Sequence, residues 1–296
     1  MTRPQRRYTV RRLTVTTSLL AVGLSPLLLS GSAQAVAAPA TVTFNGQYLN
    51  YQAADGQTNH LTVTKTEEPV DDGSPFGSAK VTYTLDDAVT IKAADTDRCT
   101  YPTSSDQTLV VCTWIVEDGQ DPASIATFML ADKNDTVTFV NPSQDTYSPE
   151  VFNLGSGNDT YTSAKYLDGS TIVGGTGNDT ITVDHLGGDL SRLVGNNGSD
   201  TLRVKDGDSA FLDGGIGNDK LYGGTGSQYL SGGDGNDVIH GGIGPDTLTG
   251  GKGNDTLYGD HGDDNLSGNS GNDKLYGGQG KDKLSGGPGK DVVKQD

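Results

Sequence analysis

From Gly214 to Lys294 the chain carries one aliphatic residue every nine positions: Leu221, Leu230, Ile239, Leu248, Leu257, Leu266, Leu275, Leu284 and Val293. The residues on either side of each are mostly polar, so the pattern predicts one short strand per nine residues, with a single side chain facing inward. Between Val36 and Glu150 the pattern is different. Short alternating runs, Thr41-Val42-Thr43-Phe44, Tyr48-Leu49-Asn50-Tyr51, Leu61-Thr62-Val63-Thr64, Val81-Thr82-Tyr83-Thr84 and Val89-Thr90-Ile91, are separated by Ala-Asp-Gly, Asp-Asp-Gly and Pro-containing turns. These are strand signals. No helical periodicity of useful length occurs, and the chain reads as all-β.

The period-nine stretch resolves into GGIGNDKLY, GGTGSQYLS, GGDGNDVIH, GGIGPDTLT, GGKGNDTLY, GDHGDDNLS, GNSGNDKLY, GGQGKDKLS and GGPGKDVVK, joined without a spare residue. Glycines at positions 1, 2 and 4 permit a tight turn whose carbonyls can point inward. Position 6 is Asp219, Asp237, Asp246, Asp255, Asp264, Asp273, Asp282 or Asp291, with Gln228 the exception. A carboxylate beside glycine carbonyls is an all-oxygen set suited to a hard ion with six to eight ligands, which favours calcium over zinc or copper. One buried aliphatic side chain per nine residues does not by itself offset the backbone entropy of ordering them, so a bound ion is expected to help hold the fold. The competing reading is a solvated, low-complexity Gly/Asp linker.

The repeats resemble the G-G-x-G-x-D-x-U-x nonapeptide of the RTX, or hemolysin-type calcium-binding, family. The resemblance implies a parallel β-roll, a right-handed β-helix in which calcium sits between one turn and the turn stacked on it two repeats later. Asp219, Asp237, Asp255, Asp273 and Asp291 would then form one column, and Gln228, Asp246, Asp264 and Asp282 the other. Backbone oxygens around Gly215, Gly217, Gly233, Gly235, Gly242, Gly244, Gly251, Gly253, Gly278 and Gly280 would complete the ligand sets. The amide of Gln228 predicts a weak or empty first slot in the second column. Asp260 and Asn269 replace second glycines and are expected to take the left-handed conformation. Pro245 replaces the usual Asn at position 5, removing an N–H but no ligand.

Diluted turns precede the repeats. Ala131-Asp132-Lys133-Asn134-Asp135, the turn ending at Asp159, that ending at Asp179 and that ending at Asp200 each come before a short strand. Their aspartates are spaced 24, 20 and 21 residues apart, with 19 more to Asp219. Two nonapeptides make a coil of eighteen, so residues 151–213 read as degenerate coils with one calcium-type turn each, and Asp159, Asp179 and Asp200 as metal ligands. The other turn of each coil is placed at Asp168-Gly169, Gly187-Gly188-Asp189 and Asp206-Gly207-Asp208. The predicted result is a single β-helix with one turn column running from about Asp159 to Asp291 and a second beginning near Gly223. Ordinary Gly-Asn-Asp hairpin turns are the alternative.

Four segments follow: a signal peptide at 1–35, a β-rich segment at 36–150, degenerate coils at 151–213 and nine repeats at 214–294. The signal rests on Arg3, Arg6, Arg7, Arg11 and Arg12, the mostly apolar Leu19 to Leu29 and the small-residue site Ala33-Gln34-Ala35. A membrane anchor is the alternative, although Gly23, Ser25 and Pro26 interrupt the apolar run. The two arginine pairs leave the export route open. In RTX relatives exported by way of an uncleaved C-terminal segment, that segment caps the roll. This sequence stops two residues after its last repeat, which implies use of the N-terminal signal and a last coil prone to fray. Cys99 and Cys112 are the only cysteines, and in an exported protein they predict a disulfide, with free thiols or a metal site as alternatives.

Charge narrows the function. The net charge is −17, which disfavours nucleic acid and anionic membranes as partners. Of 38 acidic residues only Glu67, Glu68, Glu117 and Glu150 are Glu; past position 150 the chain uses Asp alone, as a short carboxylate fixed beside its own turn requires. Metalloprotease, hydrolase-elbow, P-loop and Cys/His signatures are missing, and His60, His185, His240 and His261 are scattered and expected to face solvent. Asp184, Asp189, Asp206 and Asp208 are the only catalytic candidates, otherwise turn residues. The expectation is a secreted calcium-binding protein, not an enzyme, whose roll folds on extracellular calcium and which serves a structural or cell-surface role, with a cell-wall or extracellular glycan as partner and no membrane insertion. A polysaccharide lyase or epimerase and an RTX-type cytotoxin are the alternatives.

Overall fold

From Ala126–Met129 onward strands alternate along the chain between two sheets, so that each pass through both sheets makes one coil of a β-solenoid. The computed structural model describes residues 38–46, 48–71, 78–117, 126–142, 150–187, 191–207 and 209–295. The signal peptide at 1–35, the turn residues Gly188 and Asp189, and Asp208 lie outside the described residues. No helix occurs among the described residues, so none could cross a membrane.

One sheet stacks, in spatial order, Lys283–Ser285, Asn265–Ser270, Thr247–Lys252, Tyr229–Asp234, Ala210–Ile216, Ser191–Asn197, Thr171–Thr176, Glu150–Ser156, Ala126–Met129, Tyr48–Gln52, Ala40–Asn45 and Ile91–Ala93. The other stacks Val292–Lys294, Lys274–Gln279, Thr256–His261, Val238–Ile243, Lys220–Tyr222, Thr201–Gly207, Thr180–Leu186, Thr160–Leu167, Thr136–Asn141, His60–Val70, Ser78–Asp86, Leu109–Glu117 and Cys99–Thr100. In the repeats the register steps by one coil of two nonapeptides: Leu221 lies beside Ile239, and Leu230 beside Leu248. All pairings from Tyr48–Gln52 and His60–Val70 onward into the repeats are parallel.

Both sheets therefore run through the sequence boundary at residue 150. The N-terminal segment contributes the first coils and then closes the solenoid end with antiparallel strands: Ala40–Asn45 on Tyr48–Gln52, and the ribbon His60–Val70, Ser78–Asp86, Leu109–Glu117, Cys99–Thr100. A disulfide joins Cys99 to Cys112, directly across that ribbon. Antiparallel pairing with a hairpin is the local solution that lets a sheet edge terminate.

The core changes along the axis. At the N-terminal end it is aromatic: Phe128 stacks on Phe152 at 4.6 Å, Tyr83 on Trp114 at 5.5 Å, and Phe152 meets Phe139 and Tyr161. Midway, strands of the second sheet bury several aliphatic residues, as Ile181 with Val183 and Leu186, and Leu202 with Val204. From Leu221 to Leu275 only one per strand remains. In the last coil Leu284 is only half-buried and Val293 is exposed.

The structure corrects the expectation of a single inward side chain per repeat. Positions 6, 8 and 1 all face inward, because strand alternation carries the inward direction from Leu at 8 back to Asp at 6 and forward to Gly at 1. The aspartates are core residues.

Candidate metal centre

Each calcium-type turn stacks on the next by a hydrogen bond in which the backbone N–H of one position-6 residue donates to Oδ1 of the Asp one coil later. In the first column this ladder runs from Asn59 to Asp135, Asp159, Asp179, Asp200, Asp219, Asp237, Asp255, Asp273 and Asp291, with distances of 2.6 to 3.0 Å. In the second it runs from Gln228 to Asp246, Asp264 and Asp282. The two columns sort the residues as the eighteen-residue coil requires, and upstream one register shift falls within the strand Thr160–Leu167, between Ser163 and Tyr166. The first column extends one step beyond its predicted start, to Asp135. A parallel ladder on the exposed side reinforces it: Asn158, Asn178, Asn236, Asn254 and Asn272 each donate a backbone N–H to the side-chain oxygen of the Asn one coil earlier. Pro245, Asp263 and Lys281 occupy these positions in the second column.

With Oδ1 engaged, Oδ2 faces inward alone. Asp135, Asp159, Asp179, Asp200, Asp219, Asp237, Asp246, Asp255, Asp264 and Asp273 each bury an Oδ2 that has no hydrogen-bond partner. One such atom is costly, and here eight stand in the first column and two in the second. What lies beside them is backbone oxygen. A β-carbon placed on Gly250 would sit 2.4 Å from Asp255 Oδ2 and 2.8 Å from the carbonyl oxygen of Gly268 in the next coil. Gly214 and Gly232 show the same pair, with Asp219 and Asp237 Oδ2 at 2.4 and 2.2 Å. In the second column Gly241 and Gly259 lie against Asp246 and Asp264 Oδ2 at 2.7 and 2.5 Å. Glycine at position 1 therefore leaves open the space flanked by a free carboxylate oxygen and a carbonyl of the neighbouring coil.

Positions 2 and 4 crowd the same turn. Gly251 and Gly253 have φ of 121° and 125°, and β-carbons there would lie 2.0 and 1.8 Å from the carbonyl oxygens of Gly233 and Gly235. Gly215, Gly217, Gly242, Gly244, Gly278 and Gly280 repeat this arrangement. Asp260 and Asn269 take φ of 69° and 68°, as expected of residues that replace a second glycine. Among the described residues no three carboxylate, histidine or cysteine side chains converge; each calcium-type turn offers one buried carboxylate, and the remaining donors are main-chain. This all-oxygen set fits calcium. Asp219, Asp237, Asp246, Asp255 and Asp264, with the position-1, -2 and -4 carbonyls of their own and neighbouring coils, would hold it, and the ion would supply the positive charge the buried oxygens lack.

Burial dominates the titration of these carboxyls. Desolvation pushes Asp159, Asp219 and Asp246 up to about 7 and Asp135, Asp200, Asp255 and Asp264 up to about 6, against the lowering effect of the donated N–H groups. Asp179 and Asp237 are raised for the same reason.

The predicted ligands are not equivalent. Asp179 and Asp200 have Gly174 and Gly195 at position 1 and the open space beside Oδ2. Asp159 and Asp135 have buried Leu154 and Leu130 there, so an apolar side chain starts where the repeats leave room. Ala131 and Lys133 nonetheless hold the turn conformation at φ of 48° and 80°, a strain of order 1–3 kcal/mol each. Gln228 is buried, and its Nε2 donates to the carbonyl of Thr225 within its own turn. Asp282 and Asp291 stand half-buried in the last coil.

The other candidates are engaged in side-chain contacts. Asp184 pairs with Lys205 at 2.6 Å, and Asp206 accepts from Thr225 and meets His185 Nδ1 at 3.1 Å. His60 and His261 are exposed. His240 instead lies in an outward ladder between Tyr222 and Tyr258, which Tyr276 continues.

A family model described as RTX calcium-binding nonapeptide repeat (4 copies) matches residues 168–184, 194–230, 213–248, 231–266, 240–273 and 258–293. No curated protein matches the chain. Paired aspartate columns, inward Oδ2 atoms and glycine-lined turns in the matched residues agree with that description: in those residues the chain is similar to RTX calcium-binding repeats and winds as a β-solenoid.

Proposed function

We propose that the protein is an extracellular calcium-binding rod, exported by its N-terminal signal, whose repeat coils become ordered when calcium occupies the spaces beside the position-6 carboxylates. The observation that carries this reading is the register of buried, unpartnered Oδ2 atoms against glycine carbonyls. Without a cation these carboxylates must either take up protons or stay charged in a dry interior, and both oppose the compact state near neutral pH. Affinity per site is expected at about 10⁻⁴–10⁻³ M, as in other extracellular modules, so cytosolic calcium would leave the repeats unfolded for export and external calcium would fold them. The aromatic, disulfide-linked coils at the N-terminal end supply the surface on which the first calcium coil stacks.

The role that fits such a rod is structural or cell-surface-associated, with the N-terminal segment meeting an extracellular glycan. Circular dichroism of the purified protein after chelation, with calcium returned to about 10 mM, tests the switch. A cooperative gain of β signal is expected. A spectrum already complete in excess chelator at pH 8 would overturn it. Binding of the protein to purified cell-wall polysaccharide tests the partner, and equal retention on an uncharged control resin would remove it.

A further inference from the structure

A charged cluster buried in the core away from the calcium-type turns lies at the N-terminal end of the solenoid. Lys65 points inward from the strand His60–Val70 and is fully buried. Its Nζ lies 2.7 Å from Glu67 Oε1 and 3.3 Å from Glu150 Oε1, and the side chains of Glu67 and Glu150 are 7% and 2% exposed. Tyr83 Oη donates to Glu150 Oε1 at 2.6 Å, and Ser170 Oγ donates to Oε2 at 3.0 Å. Tyr83 in turn stacks on Trp114 and packs against Phe128, so the surroundings are aromatic. An ion pair held this dry gains little over an apolar core, because desolvation consumes most of the attraction. An amine held against a carboxyl has a second outcome available, since such proximity corresponds to effective molarities of about 10⁵–10⁸ M.

We propose that Lys65 and Glu150 condense to a side-chain amide, covalently joining the strand His60–Val70 of one sheet to Glu150–Ser156 of the other. The ammonium of Lys65 gives a proton to Glu67 Oε1. The freed amine attacks Cδ of Glu150, forming the C–N bond, while the Tyr83 hydroxyl stabilises the negative charge that gathers on Oε1. The tetrahedral centre collapses by cleaving the bond from Cδ to Oε2. That oxygen leaves as water, taking the proton held by Glu67 and one from the attacking nitrogen. One ammonium and one carboxylate become one amide and one water, with no oxidant, cofactor or activated group consumed. Expulsion of water from an apolar site favours the product, and the reaction removes a buried charge pair. Glu67 and Tyr83 are catalytic residues here, since both touch reacting atoms.

Intact mass spectrometry of the full chain, after reduction of the disulfide, tests this directly. The protein is expected to be lighter than its sequence by one water. Tandem spectra of a digest are expected to place that loss in a branched peptide containing Lys65 and Glu150, with no tryptic cleavage after Lys65. A full sequence mass overturns the proposal, as does a water loss mapped to an Asp-Gly step, where a succinimide gives the same change. Lys65→Arg keeps the cation but cannot form the amide and is expected to show the full mass. Glu67→Gln removes the proton acceptor, and its linked fraction is expected to rise slowly after folding; linkage as complete as in the unaltered chain would remove Glu67 from the mechanism.

Discussion

Asp255→Asn distinguishes a carboxylate that awaits a cation from one that merely closes a turn. Asn keeps Oδ1, which accepts the Asp237 N–H at 2.9 Å, and replaces the unpartnered Oδ2 by an NH₂ beside the Gly268 carbonyl. In chelator at pH 8 the substitution therefore removes a buried, uncompensated acceptor, which costs about 1–3 kcal/mol when left unsatisfied and more when charged. The variant is expected to be more stable than the parent by about that amount, or by about 2–4 °C in Tm for each kcal/mol. In calcium the sign reverses, because the neutral amide cannot replace the carboxylate ligand. At pH 5 in chelator the two proteins should melt alike. Asp255 is raised to about 6 in the folded state, above its ordinary value near 4, so it binds a proton there and its own O–H can donate where the Asn NH₂ does. The linkage has the matching sign: metal-free stability is fullest below pH ~4 and falls as pH rises through about 6, where the folded carboxyl must ionise. Melting curves followed by circular dichroism at both pH values, with and without calcium, read all four arms. If Asp255→Asn destabilises the chelated protein at pH 8 as much as the calcium-loaded one, the unpartnered oxygen is not the source of calcium dependence.

Three further outcomes follow from the same geometry. Gly250→Ala places a β-carbon against Asp255 Oδ2 and the Gly268 backbone carbonyl, and is expected to weaken calcium binding tenfold or more and to cost about 1–3 kcal/mol of calcium-loaded stability by overpacking, read by calorimetry. Asp159→Asn should leave calcium stoichiometry unchanged, because Leu154 occupies position 1 of that turn; loss of a bound ion in equilibrium dialysis would contradict this. Replacing Cys99 and Cys112 by Ser opens a link between residues 13 apart. It is expected to cost about 3 kcal/mol, visible as earlier melting of the N-terminal coils with the calcium titration unmoved.

Much of the solenoid was legible in the sequence because its period is strict. Nine-residue spacing of Leu and Asp gave the two columns, and the neutral Gln228 marked where the second one begins. The inward position of the aspartates was less visible, because a carboxylate between a turn and a strand reads as a surface residue. The period of two, counted back from Leu257 to Asp255 and forward to Gly259, carries the signal. The continuity of the N-terminal segment was hidden by an excursion: strands 48–52 and 60–70 pair with 126–129 and 136–141, and the antiparallel ribbon between them breaks the periodicity. Only Asn134-Asp135 hinted that Ala131 and Lys133 would fold as a calcium-type turn. The contact of Lys65 with Glu150 had no local signature, since it depends on two strands in different sheets.

The central claim is that calcium sits between successive coils, beside the inward Oδ2 atoms. A crystal structure of the calcium-loaded protein, with anomalous differences measured at a wavelength sensitive to calcium, tests it most directly. The expected map has peaks within bonding distance of Oδ2 of Asp219, Asp237, Asp246, Asp255 and Asp264 and of the flanking glycine carbonyls, and none beside Asp135 or Asp159. Calcium confined to the exposed carboxylates, with these Oδ2 atoms still unpartnered in an ordered solenoid, would contradict it.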